Sequence, residues 1–332
     1  MREHAPDPAV GESQRHPAVN GVHRLPPTSY FTVSAVFHYL GPSLAVLLFA
    51  HVAVVGVAWL RLASAAAVFA VWRRPWRLLG RLTWSQLRTL VGLGVVLAVM
   101  NSVFYLAVDR LPLSTVGAIE FLGTVYLAVA GARTRRNLLA LVLTVGGVVA
   151  LTEVRLVDAP LGFVYAFANC AGFMLYVVLG HRIANTAPRT GTDHEDPGTD
   201  TFGGIDQLGA AMLTAAAAAA PFELPSALPA FSHPSWLLWG VGVGVCSSVI
   251  PYVADQLAMA RLPRATFALM LALLPATATA VGLLVLQQVP TAWDLLGVGL
   301  VILGVAAHQP APASETNRHR TDSRAKSRRS RG

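Results

Sequence analysis

Charge is scarce in these 332 residues, with Asp, Glu, Lys and Arg at 13%, against roughly one quarter in an ordinary soluble domain. Hydrophobic residues make up 54% and the mean hydropathy is +0.55, so burying them all in water would need a far larger core than this chain could build. Cysteine is almost missing: Cys170 and Cys246 stand alone inside apolar runs, which excludes a disulfide framework or a cysteine-built metal site. A glycine-rich phosphate loop of the Walker type is also missing, so direct ATP coupling is not expected and no cofactor is implied. The amino-terminal residues lack an apolar core followed by a small-residue cleavage site, so they do not read as a removable leader.

What the chain does have is apolar runs of membrane-spanning length. A bilayer core about 30 Å thick needs roughly 20 apolar residues per helix. Ten helical spans are predicted, at 30 to 50, 53 to 72, 89 to 108, 113 to 131, 137 to 154, 160 to 181, 204 to 222, 236 to 258, 264 to 284 and 291 to 308. The fold class expected is an all-α integral membrane protein. The seventh span, around "AAMLTAAAAAAP", is the least apolar. Short connections favour antiparallel neighbours in one bundle.

With a cytoplasmic amino terminus, 22 of the 25 Lys and Arg residues fall on inside segments, leaving Arg61, Arg110 and Arg155 on outside connections. The positive-inside rule then places both termini in the cytoplasm of a multi-pass inner-membrane protein. The net charge of +8 comes largely from the tail "RHRTDSRAKSRRSRG", which lacks the aromatic residues and scaffold of a nucleic-acid binder. A solvated tail near anionic lipid is expected, with no nucleic-acid partner. Residues 1–28 and 309–332 are expected to be disordered tails, and 185–206 a polar loop. His194, Glu195 and Asp196 in that loop are read as solvated rather than metal-binding.

Repetition is visible in the sequence. "RLPLSTVGAIEFLGTVYLAVAG" from Arg110 aligns without gaps to "RLPRATFALMLALLPATATAVG" from Arg261, with six identities in 22. The next spans match too: "NLLALVLTVGGV" from Asn137 resembles "DLLGVGLVILGV" from Asp294. Spans four and five thus correspond to nine and ten, dividing the chain into five-helix repeats at 29–156 and 157–308. An odd number of spans makes the second repeat enter the membrane from the opposite side, so the two are inverted repeats, as in many secondary transporters. Small residues spaced by four, at Gly240, Gly244 and Ser248 and at Ala168 and Gly172, suit close helix approach. Gly41 and the prolines at 42, 251 and 275 leave backbone groups to be satisfied locally.

Glu120 is a lone acid within the apolar run Leu113 to Gly131. A charge at the bilayer centre costs about 2.5–3.5 kcal/mol on insertion scales, so its side chain is expected to face the bundle interior. A carboxyl group able to be charged or neutral at little cost suits proton coupling or recognition of an ammonium group. Other polar residues at comparable depth are His38, Asn101, Tyr105, Asn169, Tyr176, Tyr252 and Asp255. Asn101 and Tyr105 share one helix face, as do Tyr252 and Asp255. Asp255 is placed nearer the cytoplasmic end, as a solvated or gating residue, and His38 is read first as a packed histidine. Asp109 is expected to pair with Arg110 or Arg61.

The segments "NSVFYLAVDRLPLSTVGAIEFLG", "CAGFMLYVVLGHRIA" and "SSVIPYVADQLAMARLPRATFALMLALLPA" resemble EamA-type members of the drug/metabolite transporter superfamily, in the threonine and homoserine exporter branch. The likeness spans roughly residues 30 to 308. It implies ten helices in two inverted repeats around a central cavity, and export of amino acids or other small metabolites. Carried over, it points to Asn101, Tyr105, Glu120, Tyr176, Tyr252 and Asp255. Three departures stand out: Gly123 and Thr124 where the family often has Gly-Pro, Leu274 and Pro275 where it often has Glu-Pro, and Gln287 and Gln288 where it has Gly-Glu. With the second-half acid gone, symmetrical use of two carboxylates is not expected.

The expected function is export of a small polar metabolite, such as a neutral amino acid, by alternating access, with protons as a candidate coupling ion. The oligomeric state is left open. An intramembrane enzyme would need a nucleophile beside a base, and Ser247 and Ser248 have no identifiable His partner in the sequence. A sensor or assembly protein acting through the basic tail is the third alternative.

Overall fold

The computed structural model describes residues 27–76, 83–131, 133–153, 159–186, 197–261 and 273–307. The tails, Arg77, Arg81, Arg155 and the His194–Asp196 stretch lie outside them. Among the described residues all regular structure is helical: α1 (Pro27–Leu48), α2 (Val54–Arg73), α3 (Trp84–Val108), α4 (Leu113–Gly131), α5 (Arg135–Glu153), α6 (Pro160–Thr186) and α7 (Pro197–Phe231). Then α8 runs from Pro234–Gly244 through a π-helical turn, Val245–Val249, into Ile250–Arg261, followed by α9 (Leu274–Leu286) and α10 (Ala292–Ala307). Among the described residues six helices, α1, α2, α3, α6, α7 and α8, are long and apolar enough to cross a membrane, and shorter apolar stretches lie in α4, α9 and α10.

Local chemistry explains where helices depart from their expected limits. Thr83 accepts the Gln86 N–H while the Gln86 side chain accepts the Thr83 N–H, a capping box that starts α3 five residues before the predicted 89. Helix α7 runs well past the predicted 222 and contains Pro221, Pro225 and Pro229. Spaced by four, these prolines put their missing N–H groups on one face, and the rest of the turn still packs, with Ala227 and Ala230 fully buried. In α8 the Ile250 N–H reaches back to the Val245 carbonyl, and the widened turn makes room for the Pro251 ring.

The outer surface is that of a lipid-facing bundle. Val91, Val95 and Val99 on α3, and Val164, Phe167 and Leu175 on α6, are all exposed. Exposed Trp72 and Trp76 flank Arg73 and Arg74 along the chain, the pairing of aromatic and basic groups found at a membrane interface. There Arg73 also pairs with Asp206, its Nε 2.6 Å from Oδ1, joining α2 to α7. At another connection Asp109 takes Arg110, at 3.0 Å, as its partner.

Most packing runs between the two halves of the chain rather than within them. Helix α2 lies on α7, α3 on α6 and α7, α1 on α8 and α9, α4 on α6 and α9, and α5 on α10. The α5–α10 contact is antiparallel. A Cβ added at Gly147 would stand 2.6 Å from the Gly297 carbonyl oxygen and 3.0 Å from the Val301 nitrogen, and one at Gly304 would stand 2.8 Å from the Ala140 oxygen and 3.0 Å from the Thr144 nitrogen. Backbone meets backbone because no side chain intervenes.

Candidate functional site

Between these helices lies a cavity of about 220 Å³ whose polar lining includes Arg61, Asn101, Glu120, Asn169, Tyr252 and Asp255. His38 and Tyr176 also line it. Glu120 faces this space from α4, where Asn169 Nδ2 on α6 donates to its Oε2 at 3.3 Å. Helix α4 continues unbroken past Gly123 and Thr124, and Gly123 brings it against Cys170 of α6. That contact sets α6 at the depth where Asn169 meets the acid. Asn101 is buried on α3 and spends its Nδ2 on the Ala58 carbonyl at 3.0 Å, which leaves its Oδ1 without a partner.

Asp255, at the end of the apolar stretch Pro234–Asp255 of α8, lines the same cavity as Glu120 and Ser34. Arg61, expected on an outside connection, sits inside α2 and also lines the cavity. Its Nε donates to Ser248 Oγ at 3.0 Å and its Nη2 to the Ser247 carbonyl at 3.2 Å. In a regular helix that carbonyl would receive the N–H of residue 251, but residue 251 is proline, so the arginine supplies a donor instead. Gly244 allows α8 this close to α2: an added Cβ there would meet Ser64 Oγ and stand 2.7 Å from the Arg61 carbonyl oxygen. The clue to Arg61 was present in the sequence, a basic residue eight positions into an apolar span.

Tyr105 does not reach the cavity. It is fully buried behind Arg61, whose guanidinium carbon lies 5.5 Å from the ring centroid. A second acid escaped the sequence reading. Glu223 falls one residue past the predicted seventh span, yet the extended α7 carries it into the protein, buried and touching Ser102 Oγ on α3. On the far side of α4, Gln288 Oε1 accepts the Leu113 N–H at 3.2 Å and so caps that helix, while Gln287 ends α9 in the left-handed region at φ 55°.

The EamA-like transporter family matches residues 198–307. The threonine/homoserine exporter RhtA of Escherichia coli strain K12 is 32% identical over 266 residues, covering 79% of this chain and 84% of the exporter. That of Salmonella typhimurium LT2 is 31% identical over 265 residues, with the same coverage. This chain belongs to the EamA-like transporter family. A solved crystal structure at 18% identity superposes with a TM-score of 0.53 over 84% of this chain and 96% of that one, which supports the fold alone. As an EamA-like protein it is a multi-pass membrane exporter of a small molecule. Its cavity is lined by helices from both halves, and the family match covers only the second of them.

Proposed function

We propose that this EamA-like protein exports small neutral amino acids, threonine and homoserine among them, by alternating access across the inner membrane. The observation that carries this is Glu120, an acid turned away from lipid into a cavity that also holds Asn169, Asn101, Tyr176 and Tyr252. In this role Glu120 holds the substrate ammonium or a counter-transported proton, and the amide and phenol groups orient the solute. Size favours a metabolite over a drug-like solute: about 220 Å³ is below the roughly 300–1,000 Å³ of drug-sized ligand pockets. The kinship with the threonine/homoserine exporters points the same way.

Alternating access draws support from the α5–α10 contact. The repeat alignment relates Asn137 to Asp294, an offset of 157, which pairs Gly147 with Gly304, Ala140 with Gly297 and Thr144 with Val301. Gly147 meets Gly297 and Val301, and Gly304 meets Ala140 and Thr144, so the contacts are reciprocal under that offset. Reciprocity is the signature of a twofold relation, and the antiparallel course of the pair sets its axis across the helices, as inverted repeats require. The repeats are 29–156 and 157–308, with both termini in the cytoplasm.

Efflux of a panel of amino acids and toxic analogues, from cells producing the wild type or Glu120→Gln, tests the proposal. Wild-type cells should export threonine or homoserine, and the variant should insert normally but export poorly. Equal flux in both would reduce Glu120 to a packing residue.

A further inference from the structure

Arg61 places a permanent positive charge in the cavity wall. A guanidinium offers five N–H donors, and the structure uses two of them, on Ser248 Oγ and the Ser247 carbonyl. Tyr105 covers one face of the group. Each of these partners is neutral. Among the described residues the ion pairs join Arg73 to Asp206 and Arg110 to Asp109, and no carboxylate lies within pairing distance of Arg61. Glu120 shares the cavity with Arg61 but takes Asn169 as its partner.

A charge removed from water is costly unless an opposite charge meets it. The surroundings of Arg61 hold its planar fork in place without neutralising it. Ser248 and the carbonyl freed by Pro251 hold one edge and the tyrosine ring covers one face, while the residue as a whole lines the cavity. A planar, pre-oriented guanidinium matches the two oxygens of a carboxylate better than any other side chain does.

We propose that Arg61 binds the carboxylate of the exported solute while Glu120 holds its ammonium group, an assignment that rests on this cavity being the transport site. The substrate class narrows to free α-amino acids. A zwitterion answers both wall charges at once, whereas an amide, an ester or a decarboxylated amine leaves the guanidinium bare and is disfavoured for that reason.

The test uses the purified full-length protein and four probes, threonine, homoserine, threoninamide and 2,3-dihydroxybutyrate, with binding measured by calorimetry and threonine and threoninamide export in proteoliposomes. Wild type should bind threonine roughly a hundredfold more tightly than threoninamide. Arg61→Gln should weaken threonine binding by about that factor and leave threoninamide unchanged, with Arg61→Lys in between because it keeps the charge and loses the fork. A merely structural arginine would weaken both ligands in the same proportion, and that result overturns the proposal. So does wild-type protein that binds and exports the amide as well as the acid, an outcome that needs no variant and leaves the export function standing. Binding of dihydroxybutyrate without either amino acid would do the reverse, keeping the carboxylate site and ending the amino-acid assignment. Binding of none of the four overturns both.

Discussion

Gly147 lies against the Gly297 carbonyl so closely that an added Cβ would stand 2.6 Å from the oxygen. No side chain can yield there, because the obstacle is backbone. Gly147→Ala should therefore push α5 from α10 and destabilise the protein by about 1–3 kcal/mol, the usual range for overpacking. Gly146 has nothing within 4 Å of an added Cβ, so Gly146→Ala should leave the melting temperature in detergent unchanged. A similar loss in both variants would place the cause in helix flexibility rather than in the crossing.

Gly244→Val tests how the cavity wall is held. The new side chain would meet Ser64 and the Arg61 backbone, separating α8 from α2 and drawing Ser247 and Ser248 away from the guanidinium. Export should fall by roughly tenfold or more while membrane insertion persists, since lost hydrogen bonds to a charged group are worth about 1.5–3 kcal/mol. Gly242→Val, on a face with nothing within 4 Å, is the control and should export normally.

Ser102→Ala should cost about 1–3 kcal/mol, because it leaves the buried Glu223 carboxyl without its hydroxyl partner. Glu223→Gln keeps a polar group that Ser102 can still meet and should melt close to wild type. Thermal unfolding of the two variants side by side decides the matter: a milder loss in Ser102→Ala than in Glu223→Gln would contradict it.

Gln287→Gly should stabilise the protein. Gln287 is exposed with φ 55°, a conformation that costs an L residue roughly 1–2 kcal/mol and glycine little. An increase in melting temperature is expected, with export unaltered, because the side chain is exposed and its hydrogen bond goes to the Leu284 carbonyl at its own helix end.

Several elements are legible in the sequence alone. Glu120 had to avoid lipid whatever the fold, because it stands in the middle of an apolar run. The likeness between α5 and α10, which pack together, was present as an alignment of Asn137 with Asp294. The limits of α7 were not legible, since three prolines in nine residues ordinarily end a helix and here each missing N–H falls on the same face. That error hid Glu223. Arg61 was misplaced for a different reason: counting basic residues by side of the membrane leaves no category for one that is inside it.

By itself the sequence determined the membrane class and the helical class. These follow from a local quantity, run length against bilayer thickness, and need no knowledge of which helix touches which. Only the tertiary structure decided that Arg61, Glu120, Asn169 and Asp255, carried on α2, α4, α6 and α8, face one space, and that Tyr105 stands behind it. The rotation of each helix about its axis depends on the sum of its packing contacts with several neighbours at once, and glycine positions such as 147 and 244 set how closely those neighbours come.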